Sequence, residues 1–206
     1  MPAATARNNG IFEKGIGLLG GSFDPVHNGH LAIARSFLNS DYISKLWVLL
    51  TPDPPHKTDE TLSDYDQRLT MLKAAFNHED CVYVSDIERQ LPRPSYTVKT
   101  LEYLTQQYPE QQFYLCIGQD SLANFKQWKS WKQILAYCNL LVARRPENNT
   151  GDLDPAISEN THFVHHQPVA ISSTQIRQDI ASGKNISKVV PDSVRRIIEQ
   201  SNLYKN

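Results

Sequence analysis

Two histidines, His27 and His30, stand three residues apart in the segment Gly20-Gly21-Ser22-Phe23-Asp24-Pro25-Val26-His27-Asn28-Gly29-His30. The apolar run Ile16-Gly17-Leu18-Leu19 precedes the segment, and a helical pattern over 31–38 follows it. A helix N-terminus presents unpaired backbone N–H groups and a partial positive charge. Glycines beside it, here Gly20, Gly21 and Gly29, let a phosphate come close to the backbone. Two imidazoles across such a helix start can donate to phosphate oxygens, so the combination asks for a nucleoside triphosphate. A second set of similar chemistry lies far along the chain. In Ile171-Ser172-Ser173-Thr174-Gln175-Ile176-Arg177, hydroxyls precede a helical pattern and a guanidinium sits in its first turn. Alone this is an N-cap with a solvated arginine. Beside the first set it reads as another phosphate-binding element.

Other readings of these residues are weaker. His-x-x-His can bind zinc, but no third and fourth ligands stand nearby, so no metal site is expected. Gly15 to Gly20 spells G-x-G-x-x-G, yet Leu18-Leu19 inside it makes the glycines part of a strand rather than of a dinucleotide-binding turn. No G-x-x-x-x-G-K-[ST] phosphate loop occurs. His162, His165 and His166 read as strand or loop residues.

The elements that must position these groups alternate along the chain. Apolar runs of strand length fall at 16–20, 45–50, 81–85, 112–117, 139–143 and 162–165. Between them Leu31, Ala34, Phe37 and Leu38 recur at helical spacing. Tyr65, Leu69, Leu72, Ala75 and Phe76 do so again, with Ser63 and Asp66 resembling a capping box. A third helix is expected over 95–108, and two short ones over 174–182 and 191–201. The alternation predicts an α/β fold, an open, mostly parallel sheet with helices on both faces and a small C-terminal helical part. Such sheets bind ligands beyond the carboxyl ends of their strands, at a topological switch point.

Two loops interrupt the pattern. The 51–63 loop holds Pro52, Pro54 and Pro55 and carries His56 and Lys57. The polar stretch 144–160 is expected to be mobile or peripheral. Residues 1–13 are expected to form a flexible tail ahead of a single domain over 14–206, and they lack the apolar stretch of a signal peptide. At 40% hydrophobic, the 206 residues can fill one core, while a net charge of −1 gives no electrostatic case for a nucleic-acid partner. No run approaches the ~20 apolar residues of a membrane helix. Cys81, Cys116 and Cys138 stand in apolar contexts without a C-x-x-C pair. They are expected to be buried free thiols of a cytoplasmic protein.

The two motifs together resemble the nucleotidyltransferase superfamily that carries the H-x-G-H signature, whose fold is Rossmann-like. The likeness runs from about Gly17 to Tyr204, nearly the whole chain. The segments Pro54–Lys57, Pro94–Leu101, Ile117–Trp128 and Leu140–Pro146 are similar to those of the bacterial nicotinate-nucleotide adenylyltransferases. The resemblance implies adenylyl transfer from ATP, accompanied by Mg2+, to nicotinate mononucleotide, a step in making NAD. It implies that His27 and His30 contact the triphosphate, with Gly20, Gly21, Ser22 and Phe23 lining the place where the nucleotides meet. It has Lys57 reach the mononucleotide or the triphosphate, and assigns Gly118 and Asp120 to ribose and nearby groups and Ser172, Ser173 and Arg177 to the ATP pocket. Trp128 would stack on the nicotinate ring, with Tyr96 and Thr97 beside its carboxylate. Asp120 can alternatively cap a helix, Trp131 suits the core better than Trp128, and Arg144 and Arg145 are weaker phosphate candidates. Lys99 and Ser22 depart from the commoner residues of the family's pattern, and Lys99 is given no role.

Three alternatives remain at this point. Pantetheine-phosphate adenylyltransferase shares the fold, but typically has Thr where His27 stands. A nicotinamide-using relative differs only in the acceptor. A nucleotide sensor would keep the fold without catalysis. The state of assembly, including a homo-oligomer, stays open.

Overall fold

Strands whose successive side chains are all apolar need cover on both faces, and the chain folds to supply it. The computed structural model describes residues 14–54, 62–144 and 153–205. Its elements follow in chain order as β1 (Gly15–Gly21), α1 (Asn28–Leu38), β2 (Ile43–Leu50), α2 (Tyr65–Phe76) and β3 (Val82–Ser85). A 3₁₀ turn (Ile87–Gln90), α3 (Thr97–Gln107), β4 (Phe113–Gly118), α4 (Gln119–Ala123) and α5 (Trp131–Tyr137) come next. The chain ends with β5 (Asn139–Arg144), α6 (Pro155–Glu159), β6 (Thr161–His165), α7 (Ser173–Ala181) and α8 (Asp192–Gln200). All six expected strands are present, each within two residues of its expected ends.

The strands form one sheet in the order β3-β2-β1-β4-β5-β6. Every pairing among them is parallel. The order reverses between β1 and β4, which leaves a crevice beyond their carboxyl ends. Alternation along β4 shows how the two faces are filled. Phe113, Leu115 and Ile117 join Val98, Leu101 and Leu104 of α3 and Ile134 of α5. Tyr114 and Cys116 join Leu31, Ala34 and Phe37 of α1 and Leu69 and Leu72 of α2. Each fully buried Leu or Phe is worth roughly 1.5–3 kcal/mol over exposure, so the two layers hold the crevice walls rigidly. The C-terminal helices belong to the layer of α1 and α2, since Ile176 of α7 and Val194 and Ile198 of α8 are buried in it.

Two expectations are corrected. Asp64, one residue after Ser63, caps α2, its carboxylate accepting from the Asp66 and Gln67 N–H groups at 2.9 and 3.2 Å. A carboxylate at that position meets two orphan donors of the first turn. Cys81 is exposed, unlike Cys116 and Cys138. It lies just before β3, an edge strand with a single neighbour. Within the stretch 144–160, α6 starts from an acidic cap at Asp154 and buries only Ile157, a peripheral position as expected, while 145–152 lie outside the described residues. Among the described residues no helix is long and apolar enough to cross a membrane.

Candidate active site

Beyond the ends of β1 and β4 the crevice opens into a cavity of about 660 Å³. Gly20 to Phe23, His27 and His30 form one part of its wall, and Ser172 to Thr174 at the start of α7 another. Tyr96, Thr97, Trp128 and Lys129 line it as well. The two motifs, 145 residues apart between His27 and Ser172, are thus brought to one site.

The H-x-G-H turn has a definite geometry. His27 occupies the N-cap of α1 and is only 6% exposed. Its ring stacks on that of His30, with centroids 3.7 Å apart and planes at 26°. The His27 N–H donates to His30 Nδ1 at 3.2 Å. That nitrogen is therefore an acceptor, and a neutral His30 ring carries its proton on Nε2. Burial holds the His27 imidazole down to about 4, against an ordinary 6.5, so the ring is neutral at pH 7. Gly29 makes the stack sterically feasible, because a Cβ there would lie 3.0 Å from both Cε1 and Nδ1 of His27. Gly21 does the same for Phe23, whose ring atoms would be 2.9 Å from a Cβ at position 21. Phe23 is 2% exposed, has a left-handed φ of 46°, and meets His30 edge-on at 4.9 Å. A non-glycine residue in this region costs roughly 1–2 kcal/mol and persists only where its surroundings hold it.

The surroundings do hold it, through residues that sequence reasoning passed over. Asp24, 1% exposed, accepts from the Tyr204 hydroxyl at 2.6 Å and from the Ser63 N–H at 3.2 Å. Tyr204 is raised above the ordinary phenol range by burial, and next by its bond to Asp24. Arg68 of α2, 2% exposed, donates to the carbonyls of Ser22, Thr51 and Ser63. On α7, Arg177 donates to the Asp24 carbonyl at 2.8 Å and Ser173 to the Pro25 carbonyl at 2.9 Å. Ser172 is the N-cap, accepting from the Gln175 N–H at 3.2 Å. Of the expected ATP residues, Ser173 and Arg177 are thus tied to the turn that carries the histidines, and of the two only Ser173 lines the cavity.

Three buried side-chain atoms lack a hydrogen-bond partner among the described residues: His27 Nδ1, Glu88 Oε2 and Ser95 Oγ. All three residues line this cavity. Buried polar atoms are nearly always satisfied, so their convergence marks a place for a polar ligand or water. Glu88, on the 3₁₀ turn, accepts from the Thr100 hydroxyl at 2.9 Å through Oε1. Burial pushes its carboxyl up, opposed by the hydroxyls of Thr100 and Thr51.

The remaining expected residues divide. Trp128 is half-buried on the cavity wall, tilted against Phe125 at 5.5 Å. Trp131 packs edge-on against Phe125 at 6.4 Å and does not line the cavity. Lys129 lies 4.1 Å from the centroid of the Tyr96 ring. The next residue, Ser130, has a left-handed φ of 55°, which fixes this turn ahead of α5. Gly118 takes the N-cap of α4 instead of Asp120, and neither lines the cavity; Ser121 does. Arg144 lies over the Phe163 ring at 5.8 Å, away from the cavity wall. His56, Lys57 and Arg145 lie outside the described residues. Among the described residues no group of three or more His, Cys, Asp and Glu side chains is placed to hold a metal ion.

Comparison with known proteins agrees with this geometry. The family model described as cytidylyltransferase-like matches residues 18–179. A Flavobacterium johnsoniae protein named "Probable nicotinate-nucleotide adenylyltransferase" is 37% identical over 190 residues, covering 92% of this chain and 98% of its own. A Clostridium novyi protein of the same name is 33% identical over 196 residues, covering 92% and 98%. Among solved structures, the Plasmodium falciparum nicotinic acid mononucleotide adenylyltransferase complexed with NaAD aligns with a TM-score of 0.72. It is 20% identical and covers 93% of this chain and 97% of that one, a likeness that speaks to the fold.

Proposed function

Since the chain belongs to the cytidylyltransferase-like family, and within it to the nicotinate-nucleotide adenylyltransferases, we propose that it joins nicotinate mononucleotide to the AMP part of ATP, releasing pyrophosphate. One observation carries the reading: a single cavity gathers the stacked histidine pair, the start of α7 and the Tyr96–Thr97–Trp128 wall. Anion-binding groups and an aromatic face in one cavity suit two nucleotides that must meet.

The acceptor's phosphate monoester has its second pKa near ~6 and is largely dianionic at neutral pH. It attacks the α-phosphorus of ATP, the bond from that phosphorus to the bridging oxygen breaks, and pyrophosphate leaves with the electron pair. No general base is required. The site's work is to hold two anions in line and to stabilise charge on the leaving group. His30 donates through Nε2. His27, neutral and with Nδ1 unpartnered, donates a hydrogen bond rather than a charge. The N-terminus of α7 and the Gly20–Phe23 backbone add N–H donors, and Lys57 supplies a cation. Trp128 offers a stacking face to the pyridine ring, and Thr97 with nearby N–H groups meets its carboxylate.

Magnesium would enter with the triphosphate, whose oxygens and water are the ligands it takes readily; among the described residues no cluster of three His, Cys, Asp or Glu side chains would hold it. Its contribution there is neutralisation of phosphate charge. The reading carries with it a cytoplasmic location, where Cys81, Cys116 and Cys138 stay reduced. The test is pyrophosphate release from ATP and magnesium with each mononucleotide. Release with nicotinate mononucleotide supports the reading, and silence with every acceptor favours a nucleotide sensor instead.

A further inference from the structure

The Ser22–Phe23 turn faces a cavity proposed to hold phosphates, where its carbonyl oxygens would repel a phosphate that its N–H groups attract. Three of these oxygens are engaged elsewhere. The Ser22 carbonyl accepts from Arg68 Nη1 at 2.8 Å, the Asp24 carbonyl from Arg177 at 2.8 Å, and the Pro25 carbonyl from Ser173 at 2.9 Å. Arg177 and Ser173 reach the turn from the far end of the chain. Arg68 reaches it from α2, behind the turn.

Arg68 holds more than the Ser22 oxygen. The same Nη1 also meets the Thr51 carbonyl at 3.0 Å, and Nε meets the Ser63 carbonyl at 3.0 Å. The Thr51 N–H in turn donates to the Gly21 carbonyl at 2.9 Å. The guanidinium thus ties the β1 turn, the end of β2 and the start of α2 into one unit. It is 2% exposed, and the hydrogen bonds it makes among the described residues go to backbone carbonyls. A guanidinium spreads five donors over three nitrogens in a fixed plane, a spacing that the three donors on an ammonium's single nitrogen do not reproduce.

The consequence follows from peptide geometry. The Ser22–Phe23 bond is trans, so its C=O and N–H point in opposite directions. Drawing the Ser22 oxygen back toward Arg68 turns the Phe23 N–H the other way. Among the described residues no acceptor meets that N–H, although Phe23 itself is 2% exposed. A donor without a protein acceptor is open to a ligand's oxygen, and a left-handed φ of 46° persists only where its surroundings hold it.

We propose that Arg68 is a positioning residue for adenylyl transfer: its buried guanidinium holds the Ser22 carbonyl away from the cavity and so presents the Phe23 N–H to a nucleotide phosphate. The inference rests on the adenylyl-transfer reading. It adds that a residue on α2, outside the cavity wall, sets the donor that the turn offers. Arg68 acts through Phe23 and touches no substrate.

The test uses the full chain with α,β-methylene-ATP, a non-cleavable analogue, and protein labelled with ¹⁵N at its 7 phenylalanines. In the wild type the Phe23 amide resonance moves downfield as the analogue saturates. In Arg68→Lys, which keeps the charge, that movement is lost, analogue affinity falls at least tenfold, and kcat/KM for ATP falls further. Arg68→Ala guards against a lysine that refolds the turn, and millimolar guanidinium should restore part of its activity where methylammonium does not. Thermal melting is recorded for each variant. A lowered melting temperature with wild-type affinity and an unchanged Phe23 shift on binding would make Arg68 a structural residue only. A wild-type Phe23 amide that does not respond to saturating analogue would overturn the inference even if pyrophosphate release is normal. Absence of pyrophosphate release with any acceptor would instead remove the reading beneath it.

Discussion

Gly29→Ala separates what the glycine between the two histidines does for the helix from what it does for the chemistry. Gly29 lies in the first turn of α1, where alanine is favoured by at most the ~1 kcal/mol of a helix interior. A methyl there would stand 3.0 Å from Cε1 and Nδ1 of His27, whereas ordinary contact begins near 3.4 Å, so the ring must retreat by about 0.4 Å. It has little freedom to do so, being 6% exposed and stacked at 3.7 Å on His30. Forcing the ring off its preferred torsion costs ~0.5–1.5 kcal/mol, which offsets the helical gain. The melting temperature should therefore change little. Turnover should not be spared. A displacement of 1 Å at a reacting centre costs roughly 10²-fold. Taking the logarithm of the rate as linear in displacement, the shift predicts a roughly five- to tenfold loss in kcat. A continuous pyrophosphate assay at saturating ATP and mononucleotide, run beside a thermal melt, measures both. A variant with wild-type kcat and a raised melting temperature would refute the argument, because the ring would then have relaxed without consequence.

Other outcomes follow from the same site. Replacing His27 or His30 by Ala should remove a transition-state donor worth ~3 kcal/mol, a loss of roughly 10²-fold in kcat with smaller change in KM; steady-state kinetics on the folded variants checks it. Because His27 is lowered from 6.5 to about 4, the unfolded chain takes up its proton first as pH falls. Its stabilising contribution is complete above 6.5 and declines toward pH 4, by up to ~3 kcal/mol, so His27→Gln should flatten the wild-type fall in melting temperature across that window. Glu88 has the opposite sign. Its raised carboxyl pKa means that stability is lost as pH rises above the ordinary glutamate range, and Glu88→Gln should raise the melting temperature at pH 8 while leaving it unchanged at pH 4.

Much of this was legible in the sequence, and the reason differs from element to element. The strands were readable because runs such as Phe113–Gly118 are apolar on both faces, as a covered parallel sheet requires. His27, His30, Gly20 and Trp128 could be found because their types and neighbours announce chemistry. Asp24, Arg68, Glu88 and Tyr204 could not, since single charged or phenolic residues ordinarily lie in solvent. Arg68 did carry a signal: it falls three residues after Tyr65 and four before Leu72, on the apolar stripe of α2. A charge on such a stripe must find partners inside, and it finds backbone carbonyls. The capping role weighed for Asp120 was not legible, because Gly118, two residues before it, takes the cap and leaves Asp120 exposed in the first turn.

The central claim, that this site transfers adenylyl groups to the nicotinate acceptor, is tested most directly by competition. Nicotinate and nicotinamide mononucleotides at equal concentration are given to the wild-type protein with ATP and magnesium, and the two dinucleotides are separated by chromatography early in the reaction. The product ratio is then the ratio of kcat/KM values. Stacking on Trp128 serves both rings alike, so selection falls to donors around Thr97, and each donor left unpaired by the amide costs ~1–3 kcal/mol. The account predicts the nicotinate product in at least roughly hundredfold excess, narrowed by Thr97→Val. Comparable amounts of the two products, or neither, would contradict it.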